Sequence, residues 1–262
     1  MSEVLNIGYI RSLVQGIPCN LIGGGVTGST NDDAKKLAGE AAAEGTIVLA
    51  SKQTDGRGRL GRTWVSPEGG LYLSFVLRPE CPPESLAHLS LIVGIAVRKA
   101  LVGLGCDCAT LKWPNDVLLS TDADDESRTA GKVSGILAEA IVSEAGLEAV
   151  IVGIGVNVNR GPDAFPGSAY VSDVKGTLPP EVAAAVVIRS VLRTYGAWRS
   201  AGYRFEPFRG EYLAHLTLLG REVRVSDLDG SVLAQGRVSG VDEQGCLIVD
   251  GKSIIAGDVT LK

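Results

Sequence analysis

The chain has 262 residues, 45% of them hydrophobic, with a formal net charge of -5 and an isoelectric point near 5.2. That length supports one large domain, or one large and one small. An acidic balance argues against a general polyanion binder, so any positive charge acts locally, and neither DNA nor RNA is an expected partner.

The elements follow in order. Val4, Ile7, Ile10, Leu13 and Val14 form a short amphipathic pattern that predicts one helix within the first 20 residues. In "GSTNDDAKKLAGEAAAEG", Ser29 and Thr30 are cap residues and Asp32 and Asp33 favour the first turn. Ala34, Leu37, Ala38 and Ala41 recur at helical spacing, so a helix is expected to run to Gly45. Strands are expected at 46–51 and 71–78, with a long Gly-Arg connection between them. A helix over Leu86–Leu104 precedes strands at 117–120, 132–143 and 148–159. Between the first two of these, "TDADDESRTAG" reads as an acidic hairpin tip. Helices are expected over Pro180–Arg199 and Phe205–Leu216. Beyond Leu218 the chain turns to short β-rich pieces joined by Asp-Gly and Gln-Gly turns, which predicts a small barrel or sandwich. The expected domains are 1–216 and 217–262.

Five cysteines, an odd number without zinc-type spacing, and two histidines read as reduced thiols, with Cys106 and Cys108 as packing residues rather than a redox or metal half-site. No charged-plus-apolar leader opens the chain, and apolar runs are interrupted before about 20 residues, so a cytoplasmic protein with no membrane association is expected.

Four segments carry chemistry. "QTDGRGRLGRTW" (53–64) is neither a dinucleotide fingerprint opening a helix nor a phosphate loop, because no Lys-Ser or Lys-Thr follows and the next element is a strand. Its glycines permit reordering over a ligand and its arginines offer planar donors to phosphate or carboxylate, yet alone it also fits a solvated turn. "KWPND" sets Lys112, Asn115 and Asp116 around a proline-stiffened corner, and a structural turn is the plainer alternative. "GKVSGILAE" opens a strand with Lys132, and "STN" (29–31) places hydroxyls and an amide at a helix start.

Taken together and in order, STN, Q-x-x-GRGRxGRxW, KWPND, GKxxGIL and GIGVNVN (153–159), followed by a small β-domain, closely resemble the biotin protein ligase family over residues 27 to 262. The resemblance implies an α+β fold, with a mixed-sheet catalytic domain and a C-terminal SH3-like β-barrel. It also implies a reaction in which biotin and MgATP give biotinyl-5'-AMP and pyrophosphate, after which biotin passes to a lysine of a biotin carboxyl carrier protein domain.

By motif position, the resemblance implies biotin contacts from Ser29, Thr30, Asn31, Gln53, Arg57, Gly58, Arg59, Lys132, Gly135 and Ile136. For the nucleotide and adenylate it implies Arg57, Arg59, Arg62, Trp64, Lys112, Asn115, Lys132 and Asn157, with Asn157 toward the adenine or ribose. Lys132, Arg59 and Asp116 are the catalytic candidates. Cations of this kind answer the repulsion between a carboxylate and a polyphosphate. Asp116, held by Lys112 or an incoming lysine, is a base or an orienting group. Arg62, outside the core of the motif, either joins the phosphates or braces the loop, and magnesium enters with ATP. Relatives that also repress transcription carry an N-terminal winged helix-turn-helix. Only 28 residues precede Ser29 here, so operator binding is not expected. Single-function relatives often pair through a sheet edge, which keeps a homodimer open. The competing functions are a lipoate or octanoate ligase on the same fold and a nucleic-acid-binding regulatory module.

Overall fold

The structure is a computed structural model that describes residues 4–120, 130–144, 146–227 and 229–261. Helix α1 (Ile7–Leu13) leads into β1 (Asn20–Gly23), β2 (Val26–Thr27), α2 (Thr30–Gly39), β3 (Thr46–Ala50), β4 (Lys52–Gln53) and β5 (Gly70–Leu77). Next come α3 (Leu89–Gly103), β6 (Ala109–Lys112), β7 (Asp116–Leu119), β8 (Gly131–Ser143) and β9 (Gly146–Asn157). Helices α4 (Ser172–Lys175), α5 (Pro180–Ser200) and α6 (Glu206–Ala214) precede β10 (Glu222–Ser226), β11 (Val232–Val241), β12 (Leu247–Val249), β13 (Lys252–Ile254) and β14 (Asp258–Leu261).

Seven strands form one mixed sheet in the order β1-β3-β5-β9-β8-β7-β6, in which β1 and β3 run parallel and the other neighbours antiparallel. Alternation along each strand separates the two faces. Leu71, Leu73, Phe75 and Leu77 of β5, with Val150, Val152 and Ile154 of β9, point into the main core, which α3 and α5 cover. On the opposite face α2 covers only one end, where Ala34 and Ala38, with Leu37 beside them, pack on Val48, Val76, Ala149 and Ile151. The rest of that face is lined by glycines and polar groups and is where the site forms.

The last five strands form an antiparallel sheet in the order β13-β12-β11-β10-β14. It is tied closely to the larger part: the Thr217 amide donates to the Leu111 carbonyl at 2.9 Å, and the Trp113 indole N–H donates to the Gly245 carbonyl at 2.9 Å.

Several boundaries differ from expectation. α2 stops at Gly39, because Ala41 takes a left-handed φ of 62°, which halts the helix six residues before Gly45. The helix expected from Leu86 starts as a 3-10 turn, Pro83–His88, and becomes α-helical at Leu89. Strands β1, β2, β4 and β6 and the single-turn α4 were not anticipated; each is four residues or fewer. The stretch Pro83–Gly103 does reach the length and mean hydropathy (1.6) of a membrane span, unlike the broken runs expected. Its apolarity is accounted for by burial, since Leu89 and Leu91 through Val97 pack inside the protein. The acidic tip between β7 and β8 falls on residues 121–129, outside the described residues.

Candidate active site

Three glycines clear the floor of the site. Gly135 of β8 faces Gly155 of β9 across the ladder, and Gly153 lies two residues further along β9 on the same face. A Cβ at Gly155 would meet the Trp64 indole nitrogen at 2.4 Å, and one at Gly153 would meet Asn31 Oδ1 at 2.2 Å. None of the three needs a positive φ, so their selection here is for clearance.

The head of the cleft is set by the start of α2. Ser29 is its N-cap residue in extended backbone and makes no side-chain cap bond, which leaves its hydroxyl for the cleft. Both the amide and the hydroxyl of Thr30 donate to Gln53 Oε1, at 2.9 and 3.0 Å. Gln53 Nε2 in turn donates to Ser66 Oγ at 2.9 Å, and Ser66 donates to the Trp64 carbonyl at 2.9 Å. Asn31 is 5% exposed and donates through Nδ2 to Glu139 Oε2 at 2.7 Å.

Over this floor folds the Gly-Arg loop. Its Gly58 amide donates to the Arg62 carbonyl at 2.7 Å, and Leu60 holds a left-handed φ of 62° in a 3-10 turn at Arg59–Gly61. Arg57 pairs with Asp32 and lies 3.8 Å from Glu139, while its Nε is buried without a partner. Arg59 reaches inward and donates to Asn115 Oδ1 at 3.1 Å, and Asn115 Nδ2 donates to the Ile136 carbonyl at 2.9 Å. Burial lowers the Arg59 pKa from its ordinary value, against the raising effect of Asp116 and Asp258. Trp64 lies over the glycine floor with its indole N–H buried and unpartnered. Two donors orphaned in one cleft are costly, about 1 to 3 kcal/mol each, and mark positions where an acceptor belongs.

Lys132 crosses the mouth of the cleft. Its ammonium sits 2.6 Å from Asp116 Oδ1 and 4.9 Å from the centroid of a Trp64 ring. The expected partner of Asp116 was Lys112 or an incoming lysine; Lys112 is its register partner across β6 and β7, yet the ion pair is made by Lys132 of β8, whose own register partner is Leu118. Lys112 lines the cleft nearby.

The cleft thus gathers Ser29, Thr30, Asn31, Gln53, Arg57, Gly58, Arg59, Arg62, Trp64, Lys112, Asn115, Asp116, Lys132, Gly135 and Ile136. Asn157 stands apart: it is buried, and its amide donates to the Lys132 and Ala169 carbonyls at 3.1 and 3.2 Å. Sequence reasoning missed Ser74 and Glu139, which reach the site only through strand alternation and cross-strand neighbours, and Ser66, which joins it from the segment before β5 through its bonds with Gln53 and Trp64. It also missed Asp258, some 200 residues from the loop it meets: Arg62 donates to its carboxylate at 2.7 Å. Among the described residues no group of three or more His, Cys, Asp or Glu side chains is placed to hold a metal.

Comparison with known proteins identifies the family. Residues 23–157 match the biotin/lipoate A/B protein ligase family and residues 218–262 the biotin protein ligase C-terminal domain. A biotin–[acetyl-CoA-carboxylase] ligase of Paracoccus denitrificans is 37% identical over 86% of this chain and 92% of its own. A bifunctional ligase/repressor BirA of Bacillus subtilis is 32% identical over 90% of this chain and 72% of its own. Among solved structures, the biotin protein ligase of Aquifex aeolicus in complex with biotin and ATP superposes with a TM-score of 0.73 at 30% identity, covering 93% of this chain and 98% of that one. The chain belongs to the biotin/lipoate A/B protein ligase family.

Proposed function

We propose that the protein is an ATP-dependent biotin protein ligase. It activates biotin as biotinyl-5'-AMP and transfers it to a lysine of a biotin carboxyl carrier protein domain. The observation that carries this is the cleft itself, where Arg59, Lys132 and two unpartnered donors, Arg57 Nε and Trp64 Nε1, surround a glycine floor. Such a floor suits a flat, uncharged ring, and the cations suit a carboxylate brought against a polyphosphate. The ligases of Paracoccus and Aquifex support biotin over lipoate as substrate.

In this scheme Ser29, Thr30, Asn31 and Gln53 hold the ureido ring, with Gly135 and Ile136 along the other wall. Lys132 and Arg59 face the biotin carboxylate and the α-phosphate as one carboxylate oxygen attacks phosphorus and pyrophosphate leaves. Donors aimed at such developing charge are worth about 3 to 4 kcal/mol each. Arg57, Arg62, Lys112 and Asn115 lie on the nucleotide side, and magnesium enters bound to ATP and shares its charge. The folded loop keeps water from the mixed anhydride until the carrier arrives.

Transfer needs a neutral amine, and with a free pKa near 10.4 only about one acceptor lysine in 2,500 is neutral at pH 7. Asp116 at the cleft mouth orients that amine and takes its proton as nitrogen bonds to the acyl carbon and AMP departs. Residues 1–216 form the catalytic domain and 217–262 a C-terminal domain of SH3-like barrel type, supported by the family match at 218–262. We place the protein in the cytoplasm and give DNA no part in its activity. Biotin-dependent ATP–pyrophosphate exchange tests the first step; exchange that proceeds with lipoate and not with biotin contradicts it.

A further inference from the structure

Asn31 is fixed from two sides. Its Nδ2 donates to Glu139 Oε2 at 2.7 Å, and its Oδ1 accepts from Ser74 Oγ at 2.6 Å. We propose that Glu139 of β8 and Ser74 of β5 are positioning residues for recognition of the biotin head: together they lock the Asn31 carboxamide in one of its two flips. The inference rests on biotin being the substrate of this cleft.

The lock follows from donor and acceptor inventories. An ionised carboxylate only accepts, so whichever end of the amide faces Glu139 must be the nitrogen. Lys35 occupies the other carboxylate oxygen at 2.6 Å and keeps Glu139 from turning. Burial acts to raise the Glu139 pKa, but hydrogen bonds from Lys35 and Asn31 and the charges of Lys35 and Arg57 outweigh it, and the net shift is downward. Glu139 is therefore ionised at neutral pH. On the far side Ser74 is fully buried, and its Oγ also lies 2.8 Å from Thr30 Oγ1, whose own proton goes to Gln53, so the single Ser74 proton is shared between Asn31 Oδ1, the nearer acceptor, and Thr30 Oγ1. The missing Cβ of Gly153 lets the carboxamide lie against the floor. Locked in this way, Asn31 offers its remaining amide hydrogen and oxygen lone pair in a fixed order to a ring that carries two N–H donors and one carbonyl acceptor. The Lys35–Glu139 pair, with side chains 32% and 25% exposed, alone adds little to stability, about 0 to 1 kcal/mol, so a burial-only role predicts a small effect confined to folding.

The test uses the full-length protein with Glu139→Gln and, separately, Ser74→Ala, which leaves every ion pair in place. Pyrophosphate exchange is measured against biotin, ATP and 2-iminobiotin, whose ureido oxygen is replaced by NH. Each variant is expected to raise the KM for biotin by about tenfold, as for one lost oriented hydrogen bond, with the KM for ATP and kcat held within about twofold. The preference for biotin over iminobiotin should narrow by a similar factor. If wild-type protein shows biotin-dependent exchange and Ser74→Ala leaves both the biotin KM and that preference unchanged, the lock is overturned, whether or not Glu139→Gln folds. Absence of biotin-dependent exchange in the wild type instead removes the substrate assignment, and the lock with it.

Discussion

Arg62 of the Gly-Arg loop donates to the Asp258 carboxylate at 2.7 Å, so the loop that covers the cleft is fastened to the C-terminal sheet. The hydrogen bond from Arg62 is the main reason that the Asp258 pKa lies below its ordinary value, with Lys112 and Arg59 adding to the shift against the cost of burial. Both partners are largely exposed, at 61% and 44% of their side chains, so the pair contributes at most about 1 kcal/mol to stability. Asp258→Asn should therefore barely move the thermal midpoint and should speed loss of biotinyl-AMP by roughly twofold to fivefold, as the fastening of the loop weakens by that free energy. Because the carboxyl is depressed, the fastening is complete above the ordinary Asp range and is lost as pH falls through the lowered value. Release of labelled adenylate from wild type and variant at neutral pH checks the prediction; equal rates would remove Asp258 from loop control.

Lys132→Gln should cut adenylate formation by about a hundredfold or more while leaving the fold intact, because in the proposed mechanism it removes a donor aimed at the reacting oxygens. The Lys132 ammonium already contacts Asp116 and Trp64, both at the cleft. Single-turnover formation of biotinyl-AMP, compared with a melting curve, is the measurement.

Gly155→Ala should displace the Trp64 indole, since the new methyl would stand 2.4 Å from Nε1. Overpacking of this kind costs about 1 to 3 kcal/mol where the neighbour cannot yield, and Trp64 belongs to a loop that can. Trp198 is buried away from the cleft, and Trp113, which borders the cleft, is buried and held by its bond to the Gly245 carbonyl, so a shift in tryptophan emission reports chiefly on Trp64. An unchanged spectrum together with unchanged biotin binding would contradict the floor described here.

His88 packs against the Trp198 and Phe205 rings, and burial lowers its pKa, opposed by hydrogen bonding to the Tyr203 and Gln244 backbone. A group with a depressed pKa gives its full contribution above its unfolded value, near 6.5, and loses it as pH descends toward the folded value. Unfolding by urea at pH 7.5 and 5.5 should show a lower midpoint at the acid pH, and His88→Gln should flatten part of that dependence.

What the sequence made legible were features with short-range signatures. The long strands β5, β8 and β9, the helix α5 and the β-rich tail all carry periodicity or turn chemistry within about a dozen residues. Motif order brought Arg59, Asn115, Asp116 and Lys132 to one cleft, and they do share it. What stayed hidden depended on pairing across the sheet. Asp116 pairs with Lys132 of β8 rather than with Lys112, its cross-strand neighbour on β6, and Arg62 meets Asp258 across a span of chain that no local pattern bridges. Asn157, read as a nucleotide contact, spends its amide on the backbone between β8 and the segment near Ala169. The early stop of α2 likewise depends on one left-handed alanine in an otherwise helical sequence.

The most direct measurement is to incubate the protein with labelled biotin, MgATP and a biotin carboxyl carrier domain, with lipoate in a parallel reaction. Biotin-dependent pyrophosphate exchange followed by label on one carrier lysine, lost when that lysine is replaced, is the predicted result. Failure to form adenylate or to label the carrier with biotin, or efficient transfer of lipoate in its place, would contradict the central claim.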